Sequence, residues 1–364
     1  MNQSSSKLHT VHEILCREIQ ENHQVGDRLP TEHELAARFG CSVATISKAL
    51  SLLAHDGWVE RRPRAGTKVI RIAPITPAAK SEIKLEALAF VYPSEKHEAI
   101  LRTVRGFQDA AIEADCRVLT ITTGTDCDKE LEFLGRISEF AVNGAVVHPV
   151  LLTPEEHTRF AQKVISCPVP IVLSGMRLAG VDNPSVGIDG FHAGYTVTNY
   201  LIRRGVKKIG FLTNNAGAME KYYGGYQWAM DEAGIAMNPK WELLEATMHP
   251  NYEDPQKEPL ALAHQYLSED RGAEGVVCPC DGLAVALIQA ALERGLRVPE
   301  DLKVIGTDDV AIASTSPVPL TTYHVPYEEI GRKTFEALKA TVAGTFTGFS
   351  RVNVRGDVVV RASA

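Results

Sequence analysis

The chain has 364 residues, 45% of them hydrophobic and 23% charged, which allows two or more domains with full cores and excludes a disordered chain. Its formal net charge of −7 is unevenly spread, because residues 1–72 carry ten Lys+Arg against eight Asp+Glu and the remainder carries 28 against 37. No run reaches the roughly 18 apolar residues of a membrane span, and the N-terminal MNQSSSKLHTVHE has no apolar signal-peptide core, so we expect a cytoplasmic protein without membrane contact.

The first predicted element is a helix near the N-terminus. Residues 1–8 are polar and are predicted to fray, and the helix is predicted to begin at Thr10. Apolar residues at helical spacing then form one face. They are Val11, Ile14, Leu15 and Ile19.

Residues 26–50 contain two short helical patterns separated by a tight break. Thr31 and Glu34 have the spacing of a capping box at the start of the first, and Gly40 suits the left-handed cap that ends it. Ser42 starts the second helix. Its buried stripe consists of Ile46, Leu50 and Leu53. Two helices joined by a few residues that include a glycine are typical of a helix-turn-helix, with a plain helical hairpin as the alternative.

Small and polar side chains lie off this stripe of the second helix, and they suit a helix that approaches base edges and phosphates. We predict that Thr45, Ser47 and Lys48 face the major groove of DNA. We also predict that Arg28, which precedes the first of the two helices, and Ser42 hold phosphates.

A basic hairpin is predicted next, with strands at residues 58–62 and 67–70 around a turn at 63–66. It contains four basic residues and a single acid. We predict that Arg62, Arg64 and Lys68 contact the DNA backbone or the minor groove, and that Gly66 lets the tip approach closely. A hairpin that only improves solubility is the alternative.

Residues 9–70 resemble the winged-helix domain of GntR-family transcription regulators. The match includes GDRLPTE, ELA, the helix SVATISKAL, an L-x-x-x-G turn and a G-T wing. That family usually has an arginine where this chain has Val43, and often a second one at the position of Ser47. The helix CSVATISKAL is closer to the LacI-type recognition helix, so the resemblance implies double-stranded operator DNA as a partner but no particular operator sequence.

Residues 71–84 contain two prolines and no apolar period, and they are predicted to be a linker. From Leu85 onward, short apolar runs alternate with longer helical patterns, which predicts parallel sheets with right-handed crossovers. The number of strands favours two doubly wound lobes. The prediction is thus a winged helix-turn-helix (α+β) at 1–70, a linker at 71–84 and an α/β domain of two parallel-sheet lobes at 85–364.

Ligands of such sheets bind beyond the carboxyl ends of the strands, so polar residues directly after each apolar run are candidate contacts. They are Tyr92, Ser94, His148, Ser174, Asp189, Asn214, Asn215, Asp281, Asp308 and Asp309. Their donors and acceptors suit a hydroxyl-rich ligand. Helix capping alone is the alternative for Asp189 and Asp281, each of which opens a helix, whereas Asp308 opens no clear helix.

Residues 85–361 resemble the LacI-type sensor, a relative of the periplasmic sugar-binding proteins. The matching blocks are residues 281–331, VGIDGFHAGYTVTNYLIRRGVKKIGFLT and GGYQWAMDEAGI. The resemblance implies that Asp189 and Asp308 bind effector hydroxyls. It also implies a homodimer of the sensor domains, with the helix at residues 99–114 as a candidate contact. An arginine that often holds the effector in that family is replaced by Tyr222, and a frequent asparagine by Cys280.

The arrangement as a whole resembles arabinose repressors, so the leading hypothesis is a transcription repressor that senses a small sugar-like effector between its lobes. The predicted effector contacts are Ser94, His148, Asp189, Tyr222, Asp281 and Asp308. A solute-binding protein and a sugar-active enzyme are the alternatives. The sequence shows no export signal, nucleophile elbow or phosphate loop that would favour them. None of the seven cysteines has C-x-x-C spacing, so we expect reduced thiols and neither a metal nor a cofactor.

Overall fold

In a computed structural model, the chain divides into two compact units, Met1–Ile83 and Lys84–Ala364. The structure describes residues 3–55, 58–62, 66–70, 85–178, 180–214, 219–245, 251–269, 271–346 and 351–364. The predicted linker at 71–84, Arg64 and Asn215 lie outside the described residues. Among the described residues, no helix is long and apolar enough to cross a membrane.

The N-terminal unit contains three helices and a hairpin. They are α1 (Gln3–Asn22), α2 (Glu32–Phe39), α3 (Val43–His55), β1 (Val59–Arg62) and β2 (Gly66–Val69). The expectation that α1 begins at Thr10 is wrong, because nothing in the preceding SSSKLH breaks a helix and the helical backbone extends back to Gln3. The predicted capping box of Thr31 and Glu34 is confirmed, and Gly40 takes the predicted left-handed conformation at φ 57°.

The core of this unit joins α1 to α3 and to the hairpin. Ile46, Leu50 and Leu53 are fully buried as predicted, together with most of the predicted face of α1. Ile14 is the exception on that face, since it is 37% exposed. The two strands pair antiparallel, and Leu29 extends this sheet by donating its N–H to the carbonyl oxygen of Thr67 at 2.9 Å.

The second unit begins with a six-stranded sheet, which defines the first lobe. Its strands are β3 (Ala87–Tyr92), β4 (Arg117–Thr122), β5 (Gly144–Val147), β6 (Ile171–Ser174), β7 (Ser185–Ile188) and β13 (Arg351–Val354). Their spatial order is β13-β7-β6-β5-β3-β4, and all of the pairs are parallel.

A second six-stranded sheet defines the second lobe. Its strands are β8 (Ile209–Thr213), β9 (Glu242–Leu244), β10 (Gly275–Val277), β11 (Lys303–Asp308), β12 (Thr321–His324) and β14 (Val358–Val359). Their order is β14-β12-β11-β10-β8-β9, and β14 is the strand that pairs antiparallel. The apolar pattern of the sequence does not predict β12, β13 or β14.

Helices cover both sheets, as the predicted doubly wound architecture requires. Those of the first lobe are α4 (Glu98–Glu113), α5 (Cys127–Arg136), α6 (Pro154–Ile165) and α12 (Tyr327–Val342). Those of the second are α7 (Gly190–Arg203), α8 (Glu220–Glu232), α9 (Lys257–Ser268), α10 (Asp281–Glu293) and the short α11 (Ala311–Thr315). The predicted fold class is confirmed.

Each lobe contains one helix pair that packs backbone to backbone through glycine. In the first lobe, a Cβ on Gly331 of α12 would lie 2.0 Å from the carbonyl oxygen of Thr103 in α4. In the second, a Cβ on Gly225 of α8 would lie 2.1 Å from the carbonyl oxygen of Phe191 in α7. No side chain fits at either position, so these glycines set how closely the helices approach.

The chain crosses between the lobes at three neighbouring places: between β7 and α7, between β12 and α12, and between β13 and β14. Backbone hydrogen bonds tie the crossings together. Asp189 donates its N–H to Val354 at 2.9 Å, and His324 donates to Asp357 at 2.8 Å. Residues that follow β7, β12 and β13 therefore meet at one edge of the two sheets.

Candidate functional site

The carboxyl ends of the strands in the two lobes face each other across a cleft. Contacts between the lobes define it: Lys96 Nζ lies 2.5 Å from Glu253 Oε2, and Glu98 accepts a hydrogen bond from the N–H of Ala311 at 2.9 Å. Arg102 donates to the carbonyl oxygen of Asp309 at 3.1 Å. Polar residues at the ends of strands in both sheets therefore lie at the facing edges, as expected from the parallel topology.

Asp189 lies where the chain first crosses from one lobe to the other. Its carboxylate caps α7 by accepting a hydrogen bond from the N–H of His192 at 3.1 Å, so Asp189 has the capping role that the alternative gives it. It also accepts a hydrogen bond from Arg355 Nε at 2.8 Å. Burial acts to raise the pKa of Asp189, but these hydrogen bonds prevail and lower it, so the side chain is an anion at neutral pH.

Asp308 ends β11 in a backbone conformation that non-glycine residues rarely adopt, with φ at 132°, and Asp309 follows with φ at 57°. Such strain is characteristic of functional sites. The carboxyl group accepts hydrogen bonds from the Tyr327 hydroxyl at 2.5 Å and from the N–H of Asp281 at 3.3 Å. Burial, followed by repulsion from Asp281, raises the pKa of Asp308 well above its ordinary value.

Asp281 is fully buried beneath this turn. One of its carboxyl oxygens accepts from the Thr322 hydroxyl at 2.5 Å and the other from the N–H of Val310 at 3.0 Å. Burial is the largest cause that raises the pKa of Asp281. The sequence predicts that Asp281 contacts the ligand. Because both of its oxygens are bonded inside the protein, the geometry instead favours a role in holding the turn at Asp308. Asp281 also makes no helix cap.

Tyr222 lies in the first turn of α8. Its ring packs against the start of α7, where a Cβ on Gly190 would approach it to 2.9 Å. Burial, and then the negative charge of Asp308, raises the pKa of Tyr222 well above its ordinary value, and Asp189 contributes in the same direction. The residue that replaces the family's arginine thus places an aromatic hydroxyl within electrostatic reach of both aspartates.

The first lobe contributes His148 and Ser94. His148 Nδ1 lies 3.3 Å from Ser174 Oγ, and burial, assisted by His97, lowers the pKa of His148 to about 4. The imidazole is therefore neutral at physiological pH and can both donate and accept a hydrogen bond. Ser94 Oγ accepts from the N–H of Lys96 at 3.0 Å, which organises the turn before α4.

Sequence reasoning missed three residues of this region. Arg355 follows β13 and Tyr327 is the first residue of α12, and the sequence pattern predicts neither element. Arg102 in α4 donates two hydrogen bonds to the Glu328 carboxylate, at 2.8 and 2.9 Å. No local signal marks these side chains, since each depends on a contact between distant segments. The described residues contain no cluster of three or more side chains that could hold a metal ion.

The N-terminal unit presents the predicted DNA-binding residues of α3. Lys48 and Ser42 are exposed, and Thr45 is half-buried. Ser42 also caps the helix, since its hydroxyl accepts the N–H of Thr45 at 3.1 Å. Ser47 already has a partner within the protein, because its carbonyl oxygen and its hydroxyl accept hydrogen bonds from Arg61 at 3.2 and 3.3 Å.

The hairpin separates its basic residues between two faces. Arg28 and Lys68 are exposed and paired across neighbouring strands, so they project from the same face. Arg61 projects from the other face, where it bonds the Ser51 hydroxyl at 2.6 Å and pairs with Glu32. Arg62 pairs through its backbone with Gly66 at the strand ends.

Two family models match the chain. The model of bacterial regulatory proteins of the gntR family matches residues 8–69, and that of the periplasmic binding protein-like domain matches residues 198–364. The arabinose metabolism transcriptional repressor of Geobacillus stearothermophilus is 27% identical over 331 residues, which cover 90% of this chain and 88% of that protein. The transcriptional repressor PurR of Haemophilus influenzae is 24% identical, covering 92% of this chain and 98% of its own length.

Solved structures support the same fold. The transcription regulator CcpA of Lactococcus lactis is similar with a TM-score of 0.67 and 24% identity, covering 76% of this chain and 98% of its own. The regulator CelR, solved as a cellobiose complex, has a TM-score of 0.67 and 20% identity, covering 92% of this chain and all of its own. The chain is therefore a transcription regulator that joins a GntR-type helix-turn-helix to a periplasmic-binding-protein-like domain, and it is homologous to arabinose repressors and LacI-family regulators.

Proposed function

We propose that this protein represses transcription by binding operator DNA as a homodimer, and that a small sugar-like effector held between its lobes weakens that binding. The carrying observation is that Asp189, where the chain leaves the first sheet, and Asp308, at the end of β11 in the second sheet, both interact with Tyr222. The Tyr222 ring packs against Gly190, the residue that follows Asp189. A ligand that touches both aspartates fixes the angle between the lobes, which is how a two-lobed domain turns binding into a change of shape.

The chemistry of these residues suits hydroxyl groups. Asp189 is an anionic acceptor, His148 is a neutral donor and acceptor, and the Tyr222 ring can cover an apolar sugar face. Two relatives point the same way, since one is a repressor of arabinose metabolism and one structural neighbour was solved with cellobiose. The proposed effector contacts are Ser94, His148, Asp189, Tyr222 and Asp308, with Asp281 as their support.

The exposed basic and polar residues of the N-terminal unit support the proposed operator contacts. In this scheme Thr45, Ser47 and Lys48 read bases in the major groove, while Arg28 and Ser42 hold phosphates. The wing supplies the remaining contacts. They are Arg62, Arg64, Gly66 and Lys68. Because the proposed partner is operator DNA, we expect the protein to act in the cytoplasm.

A dimer follows from the operator, because paired half-sites need a two-fold partner. The helix α4 is our candidate contact element. One face of α4 is buried against α12, but Ile112 near its end is 73% exposed. Light scattering at micromolar concentration is expected to give the mass of a dimer, and a monomer that still binds a palindrome tightly contradicts this part of the proposal.

A gel shift with the gene's own upstream region tests the proposal directly. We expect retardation of that DNA by the full chain and its reversal by a sugar, with a coupling free energy of roughly 1–3 kcal/mol. Operator affinity that is identical with and without saturating sugar excludes the switch. Turnover of a sugar without any DNA binding favours the enzyme alternative, and tight sugar binding without DNA binding favours the solute-binding alternative.

A further inference from the structure

A buried carboxyl that the proposed function does not use lies at the end of the first sheet away from Asp189, next to the strand that Ser94 follows. Glu130, in the first turn of α5, is 1% exposed. One of its oxygens accepts a long hydrogen bond from the Thr123 hydroxyl at 3.4 Å, and the backbone of Val150 also acts on the carboxyl group. No hydrogen bond of good geometry reaches Oε2 from the described residues. Leaving a buried polar atom without a partner costs free energy, so an open oxygen of this kind indicates an absent partner.

The position of Glu130 is set by the edge of the first sheet. Its partner Thr123 follows β4 directly, and β4 is the edge strand farthest from the lobe crossings. Asp189 follows β7, which is separated from β4 by four strand spacings. With neighbouring strands about 4.8 Å apart, the backbone after β4 lies about 19 Å from Asp189 along the carboxyl edge of the sheet. This distance is much longer than a single sugar ring.

The second lobe covers this end of the cleft with Tyr252. That residue follows β9, which is the corresponding edge strand of the second sheet. Its ring meets the ring of His97 from the first lobe edge-on, with centroids 6.1 Å apart. Burial, and then the charge of Glu130, raises the pKa of Tyr252 to about 12, so the two side chains are within electrostatic reach across the lobes.

The loop that carries Tyr252 is held in one conformation. The Asn251 side chain accepts the N–H groups of Glu253 at 3.1 Å and Asp254 at 3.0 Å, and it donates to Glu258 at 3.1 Å. Lys96 of the first lobe then pairs with Glu253. Tyr252 thus contacts the loop after β3 through His97, and the Thr123 N–H joins that loop to the residues after β4 by donating to the Tyr92 carbonyl oxygen at 3.1 Å.

We propose that Glu130, Thr123 and Tyr252 form a second subsite of the effector cleft, and that the effector is a disaccharide or longer saccharide whose distal ring binds there. This inference rests on the proposed function, since the proximal ring occupies the site of Asp189, Tyr222 and Asp308. The carboxyl group of Glu130 accepts and donates hydrogen bonds to adjacent ring hydroxyls, and the Tyr252 ring covers an apolar face of the sugar.

Operator release by the full chain, measured with arabinose, glucose, cellobiose, maltose and sucrose, tests the subsite. We expect a disaccharide to act at about tenfold lower concentration than its component monosaccharides, which corresponds to about 1.4 kcal/mol. Glu130→Leu and Tyr252→Ala should each remove about that factor for the disaccharide while leaving monosaccharide response and operator affinity unchanged. Glu130→Gln should retain most of the disaccharide response.

The matched control is Glu132→Leu, because Glu132 lies on the same helix but is exposed and paired with Arg136. It should respond to every sugar like the wild type. A disaccharide no better than its monosaccharides, or a Glu130→Leu variant that changes both responses alike or neither, overturns the second subsite and leaves the proposed function intact. If no sugar releases the operator or raises the melting temperature, the proposed function fails and the subsite fails with it.

Discussion

The Tyr327 hydroxyl donates a hydrogen bond to Asp308 Oδ1 at 2.5 Å, and this bond joins the end of β11 in the second lobe to the first residue of α12 in the first. Arg102 strengthens the same junction, since it bonds Glu328 and the carbonyl oxygen of Asp309. A ligand that competes for Asp308 therefore acts on a contact between the lobes. This relationship is the physical basis for expecting the cleft to control a change of shape.

Replacing Asp308 should separate ligand sensing from DNA binding. We expect Asp308→Ala to retain near-normal operator affinity while losing the response to sugar, because the side chain lies in the cleft domain and not in the N-terminal unit. Gel shifts with and without sugar measure both properties. Asp301→Asn is the control, since Asp301 lies just before the amino end of the same strand and pairs with Arg297. Loss of DNA binding in Asp308→Ala would instead identify a structural residue.

Lys48 should contribute to operator recognition. The Lys48 side chain is exposed on α3 and lies off the buried stripe of Ile46 and Leu50. We expect Lys48→Ala to lose about 1–3 kcal/mol of operator binding and to relax sequence preference at one position. Arg38→Ala is the control, because that guanidinium already pairs with Glu18 within the unit. Titrations at several salt concentrations that match the wild type would refute this assignment.

The adjacent glycines of α8 should respond oppositely to alanine. A Cβ on Gly225 would collide with the carbonyl oxygen of Phe191, whereas one on Gly224 would make an ordinary contact with the Phe191 ring at 3.7 Å. We expect Gly225→Ala to cost about 1–3 kcal/mol by overpacking. Gly224→Ala should be neutral or stabilise by up to about 1 kcal/mol through helix propensity. Thermal melts of both variants check this, and equal effects would contradict the backbone contact between α7 and α8.

Glu130 should make stability depend on pH. Burial raises the pKa of Glu130 to about 8 from an ordinary value of 4.5, so the native state holds a proton that the unfolded state releases between these values. Stability contributed by this group is therefore complete below pH 4.5 and declines as pH rises towards 8. Glu130→Gln should remove this decline, gaining a few kcal/mol relative to the wild type between pH 5 and pH 8.

Denaturant titrations at several pH values measure the difference between the two proteins. Asp126 and Glu156, which act on the pKa of Glu130, are present in both proteins, so the profiles differ by the titration of Glu130 and by its interaction with these two groups. Parallel stability profiles for wild type and Glu130→Gln would show that Glu130 is ionised in the folded protein.

Much of the architecture followed from short-range patterns in the sequence. The capping box of Thr31 and Glu34, the glycine turn at Gly40 and the stripe of α3 each depend on residues within a few positions, and the structure has all of them. The alternation of strands and helices likewise identified two doubly wound lobes, because the period of apolar residues differs between a buried strand and an amphipathic helix.

The tertiary structure alone decided which residues meet. The final crossing places Arg355 beside Asp189, a partner 166 positions away in the chain, and no local pattern encodes such a pair. The same holds for Tyr327 with Asp308 and for Tyr252 with His97, since both pairs depend on the order of strands in two sheets. Strand ends could be found from the sequence because apolar runs are local. Their neighbours across the cleft could not, because the sheets are assembled from segments that are distant in the chain.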